Sequence, residues 1–331
     1  MENQMTWQTC SVFRFIDNLI IELRENGRYG TADKYQKARS SFCLFYSTRL
    51  SGGPRFPSSG DLIFSQIDGP LIRQYERWLK QRGCCRNTTS FYMRILRACY
   101  NKALRSLSNA PFHTSCHPFD DVYTGVDRTR KRAIPTRILS QLLHHAEKLT
   151  VRSHADMKLA LDIFLFSFYT RGMSFVDIAY LQANNLEGHT LSYVRRKTHQ
   201  RLIVHLEPEA LRILRSYADV DRPFLFPILQ GGTEAQLYQQ YKHSLTHYLY
   251  YLHHFEVSFI SPDTVMESGI NALTFYVARH TWATSMLRMG ATLPIISHGL
   301  GHHSLEVTQI YLSEVAESEV DIANRKLIDS L

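Results

Sequence analysis

The feature that most constrains this chain is a break in its hydrophobic rhythm. From Ser11 to Leu107 apolar side chains recur at helical spacing; between 108 and 134 the recurrence stops, and Pro111, Pro118, Gly125 and Pro135 punctuate the stretch. A chain of 331 residues interrupted in this way is long enough to bury two separate cores. The expectation is therefore two domains, 1–107 and 135–331, with a linker over 108–134.

In the first domain Val12, Phe15, Ile16, Leu19, Ile20 and Leu23 fall three and four apart before Asn26-Gly27, the stripe of an amphipathic helix. Three more helices are predicted. One starts at Thr31 or Asp33 and carries Tyr35, Phe42, Phe45 and Tyr46; the others cover 70–82 and 88–107. Their outer positions hold Arg39, Arg73, Arg77, Lys80, Arg82, Arg86, Arg94, Arg97, Lys102 and Arg105, and a bias so one-signed leans toward phosphate contact. The linker ends in Arg128, Thr129, Arg130, Lys131 and Arg132, which reads equally as a solubilising segment or as one that tracks a phosphate backbone. With 38 Lys+Arg against 30 Asp+Glu, the net charge of +8 attracts a polyanion without naming one.

The second domain is mostly helical with one strand signal. Leu191 and Tyr193, then Leu202, Val204 and Leu206, alternate around Lys197-Thr198-His199-Gln200, which predicts a hairpin with Lys197 at its tip. The fold class expected is mostly α with a small β-hairpin or sheet.

Several classes are excluded. The first ten residues carry no basic cluster ahead of an apolar run, and the richest apolar stretch, 161–169, is short and contains Asp162, so neither a secretory signal nor a membrane span is expected. Six cysteines without a CxxC pair receive no chemical role. Among sixteen histidines, His243 and His247 stand four apart on a helix, but no HExxH or acidic third ligand accompanies them; a helix-surface or DNA-facing pair is expected, and no metal.

Toward the C-terminus three elements recur in order: Y-V-A-R-H-T-W-A-T at 276–284, L-G-H at 300–302 and T-x-x-Y at 308–311. Together they resemble the catalytic motifs of the tyrosine recombinases, the phage-integrase family, in which H-x-L-R-H is followed by L-G-H and by a tyrosine nine residues after that histidine. The segments RGMSFVDIAYL and YVARHTWAT are most similar to recombinases of the Bacteroides group. The resemblance implies a helical core-binding domain ahead of a catalytic domain, with Tyr311 as nucleophile.

A tyrosine attacking a phosphodiester expels the 5′-oxygen and stores the bond as a phosphotyrosine, so no cofactor is needed. The transition state gathers negative charge on non-bridging oxygens, which guanidinium groups stabilise. The resemblance assigns that task to Arg279, phosphate hydrogen bonding or proton transfer to His302, and protonation of the leaving oxygen to Lys197. Two positions depart from the family pattern. Tyr276 stands where the family has histidine, and a phenol is a poor base near neutral pH, with an ordinary pKa of roughly 10. Ser174 stands where an arginine is expected three residues before Asp177; Arg171, one helical turn earlier, is the candidate substitute, against the plainer expectation that it pairs with Asp177.

The family implies paired sites on double-stranded DNA, exchanged by a homotetramer in the cytoplasm, nucleoid-associated. The tail, with Val315, Val320, Ile322, Ala323, Leu327 and Ile328 among charges, is an amphipathic helix suited to docking on a neighbouring subunit. The 107 residues before the linker leave room for one core-binding domain and none for an arm-binding domain. A topoisomerase-like nicking and resealing enzyme, and a DNA-binding relative without catalysis, are the alternatives.

Overall fold

The structure is a computed structural model that describes residues 6–50, 61–110, 117–127, 133–149, 151–219, 221–259 and 273–309, with single positions 325 and 328. The chain divides into two compact units, Met1–Arg128 and Thr129–Leu331.

The first unit contains α1 (Val12–Glu25), α2 (Tyr29–Leu50), α3 (Gly69–Gln81) and α4 (Arg86–Ser106). Capping fixes where two of them start: the Ser11 hydroxyl accepts the Arg14 N–H at 3.1 Å, and the Asp68 carboxylate accepts the Leu71 N–H at 2.8 Å with Pro70 in the first turn. The predicted stripe of α1 is buried except for Phe15, which packs at the edge of the core while Phe13 goes in. Phe42 is fully buried with ring centroids 6.1 Å from Phe13 and 4.9 Å from Tyr75, whose hydroxyl donates to Ser41 at 2.7 Å.

Part of the expected linker belongs to this unit. Phe119 and Val122 are buried in its core, and the Asn87 amide donates to the Asp127 carbonyl at 3.0 Å while accepting the Asp127 N–H at 2.7 Å. Two apolar anchors without a period look like a loop in sequence yet pack as core. The basic run 128–132 lies outside the described residues.

In the second unit α5 (Thr136–Lys148) and α6 (Val151–Tyr169) precede the short α7 (Phe175–Ala179). A three-stranded antiparallel sheet follows in the order β1 (Leu186–Glu187), β2 (Thr190–Val194), β3 (Arg201–His205). Then come α8 (Pro208–Ser216), α9 (Glu234–Phe259), α10 (Phe275–Arg288), α11 (Leu293–Leu300) and α12 (Leu305–Gln309). Helix α6 is central: Leu161, Ile163, Phe164, Leu165 and Phe166 are all buried, with α8, α9 and α10 packed around it. Asp162, the polar interruption of that run, is held by Lys158 Nζ and by the Tyr217 hydroxyl at 2.7 Å, so its charge is paired rather than stranded.

The expected hairpin is present, with Leu191 opposite Val204 and Tyr193 opposite Leu202 and those four side chains buried. Strand β1 was beyond prediction because two residues carry no alternation. His243 and His247 stack with centroids 6.2 Å apart on α9, and His247 Nε2 lies 3.2 Å from Asp156. None of the described helices is long and apolar enough to cross a membrane.

Candidate active site

The site is built on the way α11 ends. Pro294 sits in its first turn, and at its far end Gly301 turns left-handed at φ 64°. The His302 N–H then bonds the Ser297 carbonyl and the Gly301 N–H the His298 carbonyl, each at 3.0 Å, the paired bonds of a Schellman turn. A Cβ at 301 would stand 2.8 Å from Leu202 Cδ1 on β3, so both the conformation and the close approach require glycine. In L-G-H the leucine anchors the helix, the glycine reverses the chain and the histidine is delivered to the site.

The same turn offers carbonyls to two arginines. Arg279, from α10 and only 4% exposed, donates from Nη2 to the Leu300 carbonyl and from Nη1 to the Gly172 carbonyl at 2.7 Å. Gly172 is likewise left-handed, and a Cβ there would meet Arg279 Cα at 2.8 Å. Among the described residues no carboxylate pairs with Arg279. Arg195, 6% exposed, follows β2 and donates from Nη1 to the Gly301 carbonyl at 2.8 Å, with Nε 3.9 Å from Asp177. Asp177 is buried and also accepts the Ser174 hydroxyl at 2.6 Å and the Arg196 N–H at 2.9 Å. Ser174 thus orients Asp177 at the start of α7.

His302 bridges these groups. Arg279 Nη2 is 3.0 Å from its Nε2, and Nδ1 is 2.9 Å from Thr308 Oγ1. Burial first, then the charges of Arg279, Arg195 and Lys197, push its pKa down to about 3. Lys197 is exposed on the turn between β2 and β3, which is closed by the His199 N–H on the Arg195 carbonyl at 2.7 Å. His303 Nε2 donates to the Thr198 carbonyl at 2.8 Å, tying that turn to the segment after α11.

Of the residues singled out from sequence, Arg279 and His302 therefore touch and Lys197 acts on His302 through its charge. Arg171 stands apart: left-handed at φ 60° in the turn after α6, it donates from Nη1 to the Ile203 carbonyl at 3.3 Å. Asp177 is engaged by Ser174, Arg195 and Arg196 instead. Tyr276 is 50% exposed, its ring edge-on to His280 with centroids 4.5 Å apart. Tyr311 lies outside the described residues.

Arg195 and Thr308 were missed. For Arg195 a signal existed: Leu191 and Tyr193 point inward, and position 195 shares their parity, so a strand-period reading places a guanidinium on the buried side. Thr308 carried no signal beyond its place in T-x-x-Y.

Residues 132–317 match the phage integrase family and residues 11–116 the phage integrase SAM-like domain. The chain belongs to the phage integrase family, the tyrosine recombinases, whose members cleave and rejoin DNA. Among curated relatives, tyrosine recombinase XerC of Roseiflexus castenholzii (strain DSM 13941 / HLO8) is 28% identical over 188 residues, 56% of this chain and 56% of that protein. The chain thus spans little more than half of that relative. XerC of Roseiflexus sp. (strain RS-1) is 23% identical over 282 residues, 85% of this chain and 82% of its own. The solved integrase of the Tn1549 transposon, in complex with transposon right end DNA, superposes with a TM-score of 0.60 at 14% identity, covering 96% of this chain and 100% of that one, a likeness of fold.

The depressed His302 pKa has a consequence for stability. Between 6.5, the ordinary value, and about 3 the unfolded chain binds a proton that the folded one declines. The contribution is complete above pH 6.5 and is lost as pH falls toward 3. Denaturant unfolding across that window is expected to show a steeper acid loss for the native protein than for His302→Gln.

Proposed function

We propose that this protein is a site-specific DNA recombinase that cuts and rejoins duplex DNA through a 3′-phosphotyrosine on Tyr311. The observation that carries this reading is the pair of buried guanidiniums, Arg279 and Arg195, on the adjacent carbonyls of Leu300 and Gly301 with His302 against one of them. Neutral carbonyls hold Arg279 in place without cancelling its charge, which leaves it for a phosphate. The Tyr311 oxygen attacks phosphorus as its own proton passes to water, the P–O5′ bond breaks, and Lys197 gives the leaving oxygen its proton. Arg279 and Arg195 carry the charge on the non-bridging oxygens, and His302 adds a hydrogen bond. Religation runs the same steps backward.

Arg195 takes the place that the sequence suggested for Arg171. Its guanidinium shares one turn with Arg279, whereas that of Arg171 reaches the Ile203 carbonyl on β3. Tyr276 remains a candidate for one phosphate hydrogen bond.

DNA outside the cut is held by the basic residues of the first unit and by the run 128–132 that connects the two domains. Four of the expected first-unit contacts are partly neutralised within that unit: Arg39 by Asp17, Arg73 by Asp121, Lys80 by Glu76 and Arg86 by Asp127. Arg77, Arg94, Lys102 and Arg105 have no ion pair among the described residues and carry more of the phosphate contact. The acting form is a homotetramer on paired sites, in the cytoplasm at the nucleoid. Its subunits are linked by tail 315–331, for which an apolar groove lined by Trp282, Met286, Pro294 and Ile295 offers a seat.

A duplex recovered from a randomised library by covalent capture with native protein serves as the probe. Tyr311→Phe is expected to bind it nearly as well as native and to give no covalent band on a denaturing gel; a surviving adduct would refute the assignment. At saturating duplex, Arg195→Ala is expected to slow adduct formation by about a hundredfold or more. Arg195→Lys should recover little, since a point charge lacks the planar fork, and Arg171→Ala should stay within about threefold of native. Truncation before Ala316 is expected to spare binding of one half-site and abolish the multi-subunit complex on native gels, and Ile295→Glu should reproduce that loss.

A further inference from the structure

Thr308 stands three residues before Tyr311 and is fully buried, at 0% exposure. Its hydroxyl lies 2.9 Å from His302 Nδ1, while Arg279 Nη2 lies 3.0 Å from Nε2 on the other edge of the same ring. A guanidinium can only donate, so Nε2 accepts with its lone pair. Burial keeps the ring neutral, and the groups facing it, Arg279 from α10 with Arg195 and Lys197 from the hairpin, are all cationic and add to that effect. A neutral imidazole has one proton, which in this arrangement sits on Nδ1, and the Thr308 oxygen accepts it.

A bound phosphate reverses what Nε2 faces. Phosphodiester oxygens accept and cannot donate, so an Nε2 lone pair turned toward them repels, and the ring contributes only with its proton on Nε2. That tautomer leaves Nδ1 bare and in need of a donor. A hydroxyl is the side-chain group that serves both states in place, because its hydrogen rotates while its oxygen stays put.

We propose that Thr308 is a positioning residue for strand cleavage: its hydroxyl accepts from His302 Nδ1 in the free protein and donates to it when phosphate fills the site. The exchange leaves the ring where it is, while Arg279 Nη2, a donor that cannot face an Nε2 proton, turns to the phosphate. One proton passes from Nδ1 to water and one from water to Nε2, so the ring's charge is unchanged. The contact also joins the imidazole to the segment that leads to the nucleophile. This proposal rests on the reading of Arg279 and His302 as phosphate-binding groups.

The test is a mutant cycle on the captured duplex, read as the rate of adduct formation at saturating DNA. Thr308→Val keeps the shape of the side chain and removes the hydroxyl; it is expected to slow cleavage by about tenfold or more, the worth of one hydrogen bond to a buried group. Duplex affinity and unfolding midpoint should stay near native, and Thr308→Ser should restore the rate to within about threefold. In a His302→Ala background, Thr308→Val should cost less than about twofold more, because the partner is already gone. A native rate for Thr308→Val overturns the proposal. So does an equal fold-loss in the His302→Ala background, which would make Thr308 a packing residue. Absence of any adduct from native protein overturns the recombinase reading, and this proposal with it.

Discussion

Arg279 is buried, and its charge is met by the carbonyl oxygens of Gly172 and Leu300 rather than by a carboxylate. Burying a guanidinium costs several kcal/mol unless its donors are satisfied. Here the compensation comes from backbone dipoles: the end of α11 presents carbonyls without helical partners, the negative pole of that helix. Dipoles satisfy the donors and leave the unit charge in place, whereas a carboxylate would have removed both the penalty and the function. The arrangement requires three chain segments to meet within hydrogen-bond reach. These are the turn after α6, the middle of α10 and the end of α11, and much of the second unit's core serves to hold them there.

The Schellman turn at Gly301 performs several tasks with one conformation. It closes α11, delivers His302, and frees consecutive carbonyls for Arg279 and Arg195. Its tight approach to Leu202 packs the helix end against the sheet, and the Arg195 bond to the Gly301 carbonyl ties the hairpin to the same turn. Ser174 fits the same logic. It supplies no charge, but its hydroxyl on Asp177 keeps that carboxylate aimed at the hairpin, where it meets Arg195.

The four helices of the first unit and the hairpin were legible because each leaves a period: three to four residues along α1, two along β2 and β3. Arg279 and His302 could be singled out because short motifs at fixed separations carried the family resemblance, and the fold brings the two into contact. What escaped did so for identifiable reasons. Phe119 and Val122 bury without periodicity, so a packed segment passed for a linker. Arg195 was overlooked because attention to motif spacing favoured an arginine near Ser174 in sequence, while the guanidinium beside Asp177 comes from another element and arrives only through the fold. Thr308 is visible only as a contact, since nothing in a lone threonine announces the ring it touches.

Arg195 and Lys197 sit two residues apart on one turn, and His303 fastens that turn through the Thr198 carbonyl. In the proposed reaction, clamping the phosphate and supplying the proton therefore ride on a single loop, so whatever sets the shape of that loop sets both.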